Sequence, residues 1–482
     1  MKTMRYRRFV PLFLLFSSTF FCNAQQTGNY KPEFVKAKVW KRGPDGKVKI
    51  ANWATFETRL INNFTDLQVS QQPVLNKYGS DASQKLNGTG FFRTLKKNGR
   101  WWIIDPEGYH NMHIAVNSLN TGSSKRNQLA FAEKFGNKNN WMAETTTMLG
   151  ENGFNGTGSW SDTESIIQIN HTAKKPLAYT LNLNFMAAYG EKRGGTYQVP
   201  GHKAYPNNTI FVFDPGFETF CNEQAKKLST YQDDPNLLGY FSDNEMPLNL
   251  KNLEGYLNLK NTADPGYIAA KAWMKKKGIT TEQINDQHRA EFLAVVADKY
   301  FSVVTKAIKK HDPNHLYLGC RFYASEKNIP AFMKAAGNYL DIVTINYYGT
   351  WTPDKIQMQN WANWTGKPFI ITEFYTKAED SGLPNTSGAG WIVKTQEDRG
   401  KAYQNFCLAL LESKHCVGWH WFKYQDNDPT LEGAEPSNID ANKGIVDHAY
   451  QEYTPMLDLM KQLNLNRYQL IQYLDATNHN GR

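Results

Sequence analysis

The sequence predicts a (β/α)8 barrel, the TIM-barrel class of α/β fold, with a small N-terminal β region. Three observations lead there. Eight short apolar runs recur between residues 109 and 424. Longer stretches with helical spacing of apolar residues separate them. The first run is not followed by the Gly-rich phosphate turn that a doubly wound open sheet, the structural alternative, would carry. Buried parallel strands read as nearly continuous apolar runs, and repeated strand–helix units close most economically into a barrel.

The elements follow in order. Residues 1–24 form a secretory signal peptide: a basic start (Lys2, Arg5, Arg7, Arg8), an apolar run from Phe9 to Phe21, and Ala24 before the expected cut. Lipid attachment at Cys22 is the alternative, disfavoured by the bulky Phe21 before it. Residues 25–88 are expected to be a small β-rich region, with two short strands around Gly43-Pro44-Asp45-Gly46. A hairpin follows, its apolar arms 91–95 and 101–104 flanking Asn98-Gly99. The barrel with this hairpin is assigned to residues 89–482.

The eight runs are 109–119, 153–161, 177–186, 237–245, 315–322, 341–348, 368–374 and 416–424. The clearest helix spans 286–310, where Phe292, Val296, Tyr300, Val303 and Ile308 share one face. A last helix is expected near 453–464. Long connections after the third, seventh and eighth strands (187–235, 374–395 and 425–447) lie on the barrel face that binds ligands. The seventh is rich in Gly and Ser and is expected to be mobile until something docks on it.

Composition narrows the function. The formal charge is +10, and losing 1–24 removes four positive and no negative side chains, leaving about +6. No Lys/Arg block marks a nucleic-acid arm. After residue 24 no stretch approaches the length of a membrane span. Cys221, Cys320, Cys407 and Cys416 show no metal-ligand spacing, so buried thiols are expected, with one bridge left open. No metal or cofactor is predicted. A metal-dependent hydrolase, which would place His and Asp at several strand ends, could draw from the strand runs on His113 and His420. The oligomeric state is not encoded legibly.

The stretch LLGYFSDNEMPL, residues 237–248, carries the chemistry. An apolar strand ends without a turn on Asp243, Asn244 and Glu245, and three strands later PFIITEF ends on Glu373. The ends of the fourth and seventh strands face each other across a barrel mouth. Two facing carboxyls suit glycoside hydrolysis: one protonates the leaving oxygen, the other attacks the anomeric carbon. A separation of about 5–5.5 Å is the geometry of retention.

This arrangement resembles the clan of retaining (β/α)8 glycosidases. The resemblance implies Glu245 as acid/base, Glu373 as nucleophile and Asn244 as partner of the sugar 2-hydroxyl. It also implies a tyrosine on the nucleophile, with Tyr347 preferred over Tyr348, and Trp421 as the aromatic floor of the sugar site. His113, Asn117 and Arg321 are candidate hydroxyl contacts, and Asp243 is expected to orient its neighbours. Three stretches, GRWWIIDPEGYHNMHIAVNS, LLGYFSDNEMPL and WHWFKYQDND, are similar to the agarases of glycoside hydrolase family 50. That similarity implies an enzyme cutting β-galactosidic bonds in a red-algal galactan, and the signal peptide implies a secreted or periplasmic location. The sequence looks short beside many such enzymes, which carry a large N-terminal module. A β-galactosidase, β-mannanase or β-glucanase of the same clan, and an inactive carbohydrate-binding barrel, are the alternatives.

Overall fold

The computed structural model describes residues 31–42, 48–64, 67 and 74–477. The expected signal segment, Cys22 and the turn at residues 43–46 lie outside these. Each of the eight apolar runs contains a strand. In chain order they are β1 (His113–Val116), β2 (Gly156–Thr157), β3 (Tyr179–Asn182), β4 (Leu237–Phe241), β5 (Leu316–Gly319), β6 (Val343–Asn346), β7 (Phe369–Phe374) and β8 (Cys416–Trp421). Every pairing among them is parallel.

The chain is a mixed α/β protein. Its parallel strands form two ladders rather than one continuous eight-stranded ladder. The larger has the order β2-β1-β8-β7-β6 and the smaller β3-β4-β5. Single parallel bridges meet both ladder edges, Gly156 with Ala178 beside β3 and Phe322 after β5 with Ile345 of β6. Overlap is short at the seam beside β3, where β2 contributes only two residues.

Alternate side chains of the strands feed two cores, as the two-residue repeat requires. Leu238, Leu318, Ile370 and Val417 pack with Phe92 and Ile103 of the preceding hairpin. Their neighbours Leu237, Tyr317, Ile371 and Cys416 face the larger core shared with the helices. The hairpin packs against the strands' N-terminal ends: Trp101 N–H donates to the Lys414 carbonyl just before β8 at 2.8 Å. Its turn residues Asn98 and Gly99 both have positive φ, 51° and 77°, which the tight two-residue loop requires.

The N-terminal strand Glu33–Lys38 pairs with Ala54–Thr58 on one side and with Trp391–Val393, from the connection after β7, on the other. The early chain therefore braces a loop at the opposite, C-terminal face. The helix Asp286–His311 matches the predicted one. Asn285 caps its first turn, and Lys309, Lys310 and His311 complement the dipole at its last. The final helix runs from Thr454 to Thr477, well past the expected end near 464. Cys221, Cys320, Cys407 and Cys416 are all buried and free. Among the described residues no helix is long and apolar enough to cross a membrane.

Candidate active site

A cleft of about 1590 Å³ opens at the C-terminal ends of the strands. Glu245, Glu373, Trp160, Tyr348, Phe422 and Lys443 all line it. Its walls are the connections after β3, β7 and β8. The first forms a hairpin, Tyr197–Val199 with His202–Ala204. At its tip the Gly201 N–H donates to Glu435 of the β8 connection at 2.6 Å, joining two walls. The β7 connection, expected to be mobile, is fastened instead. Thr386 and Ser387 hydroxyls both donate to Asp440 at 2.6 Å, and buried Lys377 donates to the carbonyls of Asn385 and Ser387.

Glu373 is the fifth residue of six-residue β7 and is 6% exposed. Its two oxygens have separate donors: Arg321 reaches Oε1 at 2.7 Å and the Tyr348 hydroxyl reaches Oε2 at 2.6 Å. Burial pushes this carboxyl up to about 7, and the nearby Glu245 charge adds to the rise. Arg321 opposes it most, with Tyr348 and Lys443 assisting. The Arg321 guanidinium is itself covered by the Trp160 ring, 4.4 Å from its centroid. A cation beneath an aromatic face in a closed site keeps its charge directed at one partner.

Glu245 lies four residues beyond β4, at a backbone φ of 49°. Asn346, the last residue of β6, donates to its Oε1 at 2.7 Å, and His202 Nδ1 stands 3.6 Å from Oε2. Asn244 Oδ1 accepts from Arg321 at 3.0 Å and from Asn346 at 3.3 Å. One network thus links both glutamates through Asn346, Asn244 and Arg321. Asp243 is buried at the base of the cleft with its carboxylate occupied. It accepts the Met186 and Ala187 N–H groups at the start of the helix Phe185–Arg193 and the Tyr300 hydroxyl, fixing the β3 connection against β4.

Several expected contacts differ. The tyrosine on Glu373 is Tyr348, not the preferred Tyr347. Tyr347 donates to Gln357 at 2.6 Å and accepts from Asp354 N–H, on the helical side. Alternation explains this, because Asn346 and Tyr348 share the inner face of their strand. Trp421 is 1% exposed, its Nε1 donating to the Lys443 carbonyl, so it is packed and cannot present a ring to a sugar. The exposed ring is Trp160, 41% accessible, edge-on to Phe422.

His113 is fully buried, its Nδ1 2.9 Å from His420 Nε2, and burial lowers its pKa to about 4. Asn117 is also fully buried and donates to the carbonyls of Thr372 and Trp421, tying β1 to β7 and β8. Neither lines the cleft. Arg321 is occupied by Glu373, Asn244 and the Thr372 carbonyl, so it serves the carboxylate rather than a hydroxyl. Asn346, His202 and Trp160 were not predicted. The first ends a strand two residues before Tyr348, the signal that could have found it. Among the described residues, no group of three or more His, Cys, Asp or Glu side chains could hold a metal.

Two strand-end carboxyls lining one cleft are the arrangement a glycoside hydrolase requires, and comparison with known proteins gives the family. The crystal structure of BpGH50 is similar to 94% of this chain and 98% of its own, at 33% identity and a TM-score of 0.82. The chain therefore belongs to glycoside hydrolase family 50. Beta-agarase B of Vibrio sp. (strain JT0107) is 28% identical over 83% of this chain, which spans about half (51%) of that protein's length. A solved structure described as an exo-beta-agarase shares the fold, with a TM-score of 0.66 at 22% identity over 84% of this chain and 68% of its own. No family model matches the chain.

Proposed function

We propose that the protein is a secreted retaining glycoside hydrolase that cleaves β-galactosidic bonds in an agar-type galactan. The observation that carries this is the pair Glu245 and Glu373, in one cleft and one hydrogen-bond network, with different surroundings. Membership of family 50 and the likeness to Beta-agarase B support the galactan. The N-terminal sequence supports export. The two single bridges at the ladder seams support reading β1–β8 as one (β/α)8 barrel. In this reading residues 89–482 are the catalytic unit and 25–88 a β-rich brace.

In the first step Glu373, ionised and held by Arg321 and Tyr348, attacks the anomeric carbon. Glu245 gives its proton to the departing glycosidic oxygen, so one C–O bond forms as the other breaks. In the second step Glu245 takes a proton from water, and the resulting hydroxide displaces Glu373 with net retention. Asn244, held by Arg321 and Asn346, faces the sugar 2-hydroxyl. Trp160 offers its ring to the apolar face of a pyranose.

Incubation with agarose and neoagaro-oligosaccharides, followed by mass and anomeric analysis of the products, tests this reading. New reducing ends released first as the β-anomer are expected. An absence of cleavage on agarose, porphyran and carrageenan alike would reject the galactan, and release of the α-anomer would reject retention.

A further inference from the structure

Beside the glutamates, the cleft wall carries lysines without the carboxylate partners that buried cations normally require. Lys423 and Lys443 both line the cleft. Neither is in an ion pair, whereas surface lysines such as Lys38, Lys277 and Lys394 are. Lys443 is 1% exposed and donates to two neutral acceptors, the Ser437 carbonyl at 2.6 Å and Asn438 Oδ1 at 2.8 Å. An ammonium has three N–H bonds, so one remains. The Lys423 ammonium donates no side-chain hydrogen bond within the chain.

The acids near Lys423 are engaged elsewhere. Asp426 accepts from Asn442, the Gly444 N–H and the Tyr453 hydroxyl. Glu435 accepts from the Gly201 N–H, from Ser437 and from Asn438. Burial lowers the pKa of both lysines, Lys423 to about 8. Asp426 and Glu435 attract the Lys423 ammonium through space but accept no hydrogen bond from it, and an anion bound beside it would favour its charged form. Glu373 supplies the Lys443 ammonium with some attraction, but Lys423 stands beyond it, next to Lys443.

We propose that Lys423, assisted by Lys443, forms a subsite for a negatively charged oxyanion substituent, a sulfate ester or a carboxylate, on a sugar bound in the cleft. This rests on the carbohydrate-cleaving reading above and narrows its substrate class to galactans that carry acidic groups. Of the other lysines that line the cleft, Lys203 is paired with Glu191, Lys327 donates to the carbonyls of Tyr323 and Ala324, and Lys227 is exposed to solvent.

The test uses full-length Glu373→Gln protein, which holds oligosaccharides without turning them over, and calorimetric binding of three galactan oligosaccharides of equal length. One is neutral, one carries sulfate esters and one carries uronate carboxylates. The anionic ligands are expected to bind about tenfold tighter than the neutral one, an advantage that falls with added salt. Adding Lys423→Gln should erase that ratio, and Lys423→Arg should restore it. The sulfate and uronate arms identify which oxyanion is preferred.

Equal affinity for neutral and anionic ligands, or an anionic preference that survives Lys423→Gln, would overturn the subsite. Wild-type cleavage of agarose with no charge preference would sink this inference and leave the galactan reading intact. An anionic preference in a protein that cuts no galactan would do the reverse.

Discussion

The ends of β4 and β7 bring the same residue type to one cleft along different routes. Glu373 sits within its strand, flanked by buried residues, and meets an arginine and a tyrosine. Glu245 sits past its strand at a positive φ, a backbone state that costs a non-glycine residue on the order of 1 kcal/mol. It meets a neutral amide and the edge of a histidine. A strand position gives a carboxyl a fixed direction and dense packing, which suits attack along one line. A loop position gives it the freedom to exchange a proton with a leaving oxygen and then with water. The partners agree with that division, because cationic and hydroxyl donors favour an ionised carboxyl.

Replacing each glutamate by glutamine is the strongest way to break the comparison. Glu373→Gln should lower kcat on galactan about 10⁴-fold or more, whatever the leaving group, and should abolish covalent capture by a fluorosugar. Glu245→Gln should cost about 10²–10⁴-fold on galactan. It should recover much of that on an aryl glycoside whose leaving group needs no proton. Steady-state rates on both substrate types check this. If the two variants show the same leaving-group dependence, the roles are not divided as the surroundings suggest.

The adjacent tyrosines supply a finer comparison. The proposed nucleophile must be ionised, and burial has raised it to about 7, so kcat/KM should rise with pH through an acid limb near that value. The Tyr348 hydrogen bond lowers the Glu373 pKa, so its loss raises it. Tyr348→Phe should therefore move the limb to higher pH and reduce kcat about tenfold, the scale of one hydrogen bond to a charged group. Tyr347→Phe removes a bond to Gln357 on the helical side and should leave the limb in place, costing about 1 kcal/mol in unfolding free energy. pH–rate profiles and denaturant titrations of the two variants separate these outcomes.

Much of this architecture is legible in the amino-acid order, and the exceptions have physical causes. All eight strands are visible because a strand buried on both faces leaves an uninterrupted apolar run. Both strand-end glutamates stand out for the same reason, as charges terminating such runs. Which of Tyr347 and Tyr348 turns inward follows from alternation along β6, once Asn346 is known to face the cleft. Alternation in β8 likewise separates inward His420 from outward Trp421.

The last helix looked shorter because Asn464 and Arg467 interrupt its apolar spacing. Both are fully buried, Asn464 donating to the Asn152 carbonyl and Arg467 to that of Gly79. Polar side chains satisfied by distant backbone leave no local signal. Arg321 and Trp160 were misjudged or missed because their partnership joins residues far apart in sequence, each at a positive φ just beyond a strand.

That partnership allows the smallest effect to be predicted with opposite sign. The Trp160 ring covers the guanidinium that holds Glu373 and lines that side of the cleft. Trp160→Ala should raise KM roughly threefold to tenfold through loss of a flat apolar surface for the sugar. It should also hydrate the carboxyl. Burial is the largest cause of the raised Glu373 pKa, so relieving it lowers that pKa and moves the acid limb to lower pH. Tyr348→Phe and Trp160→Ala should thus shift the same limb in opposite directions, and the double variant should fall between them. Two shifts of the same sign would mean that the limb reports a group other than Glu373, and the contrast between the two strand ends would lose its electrostatic basis.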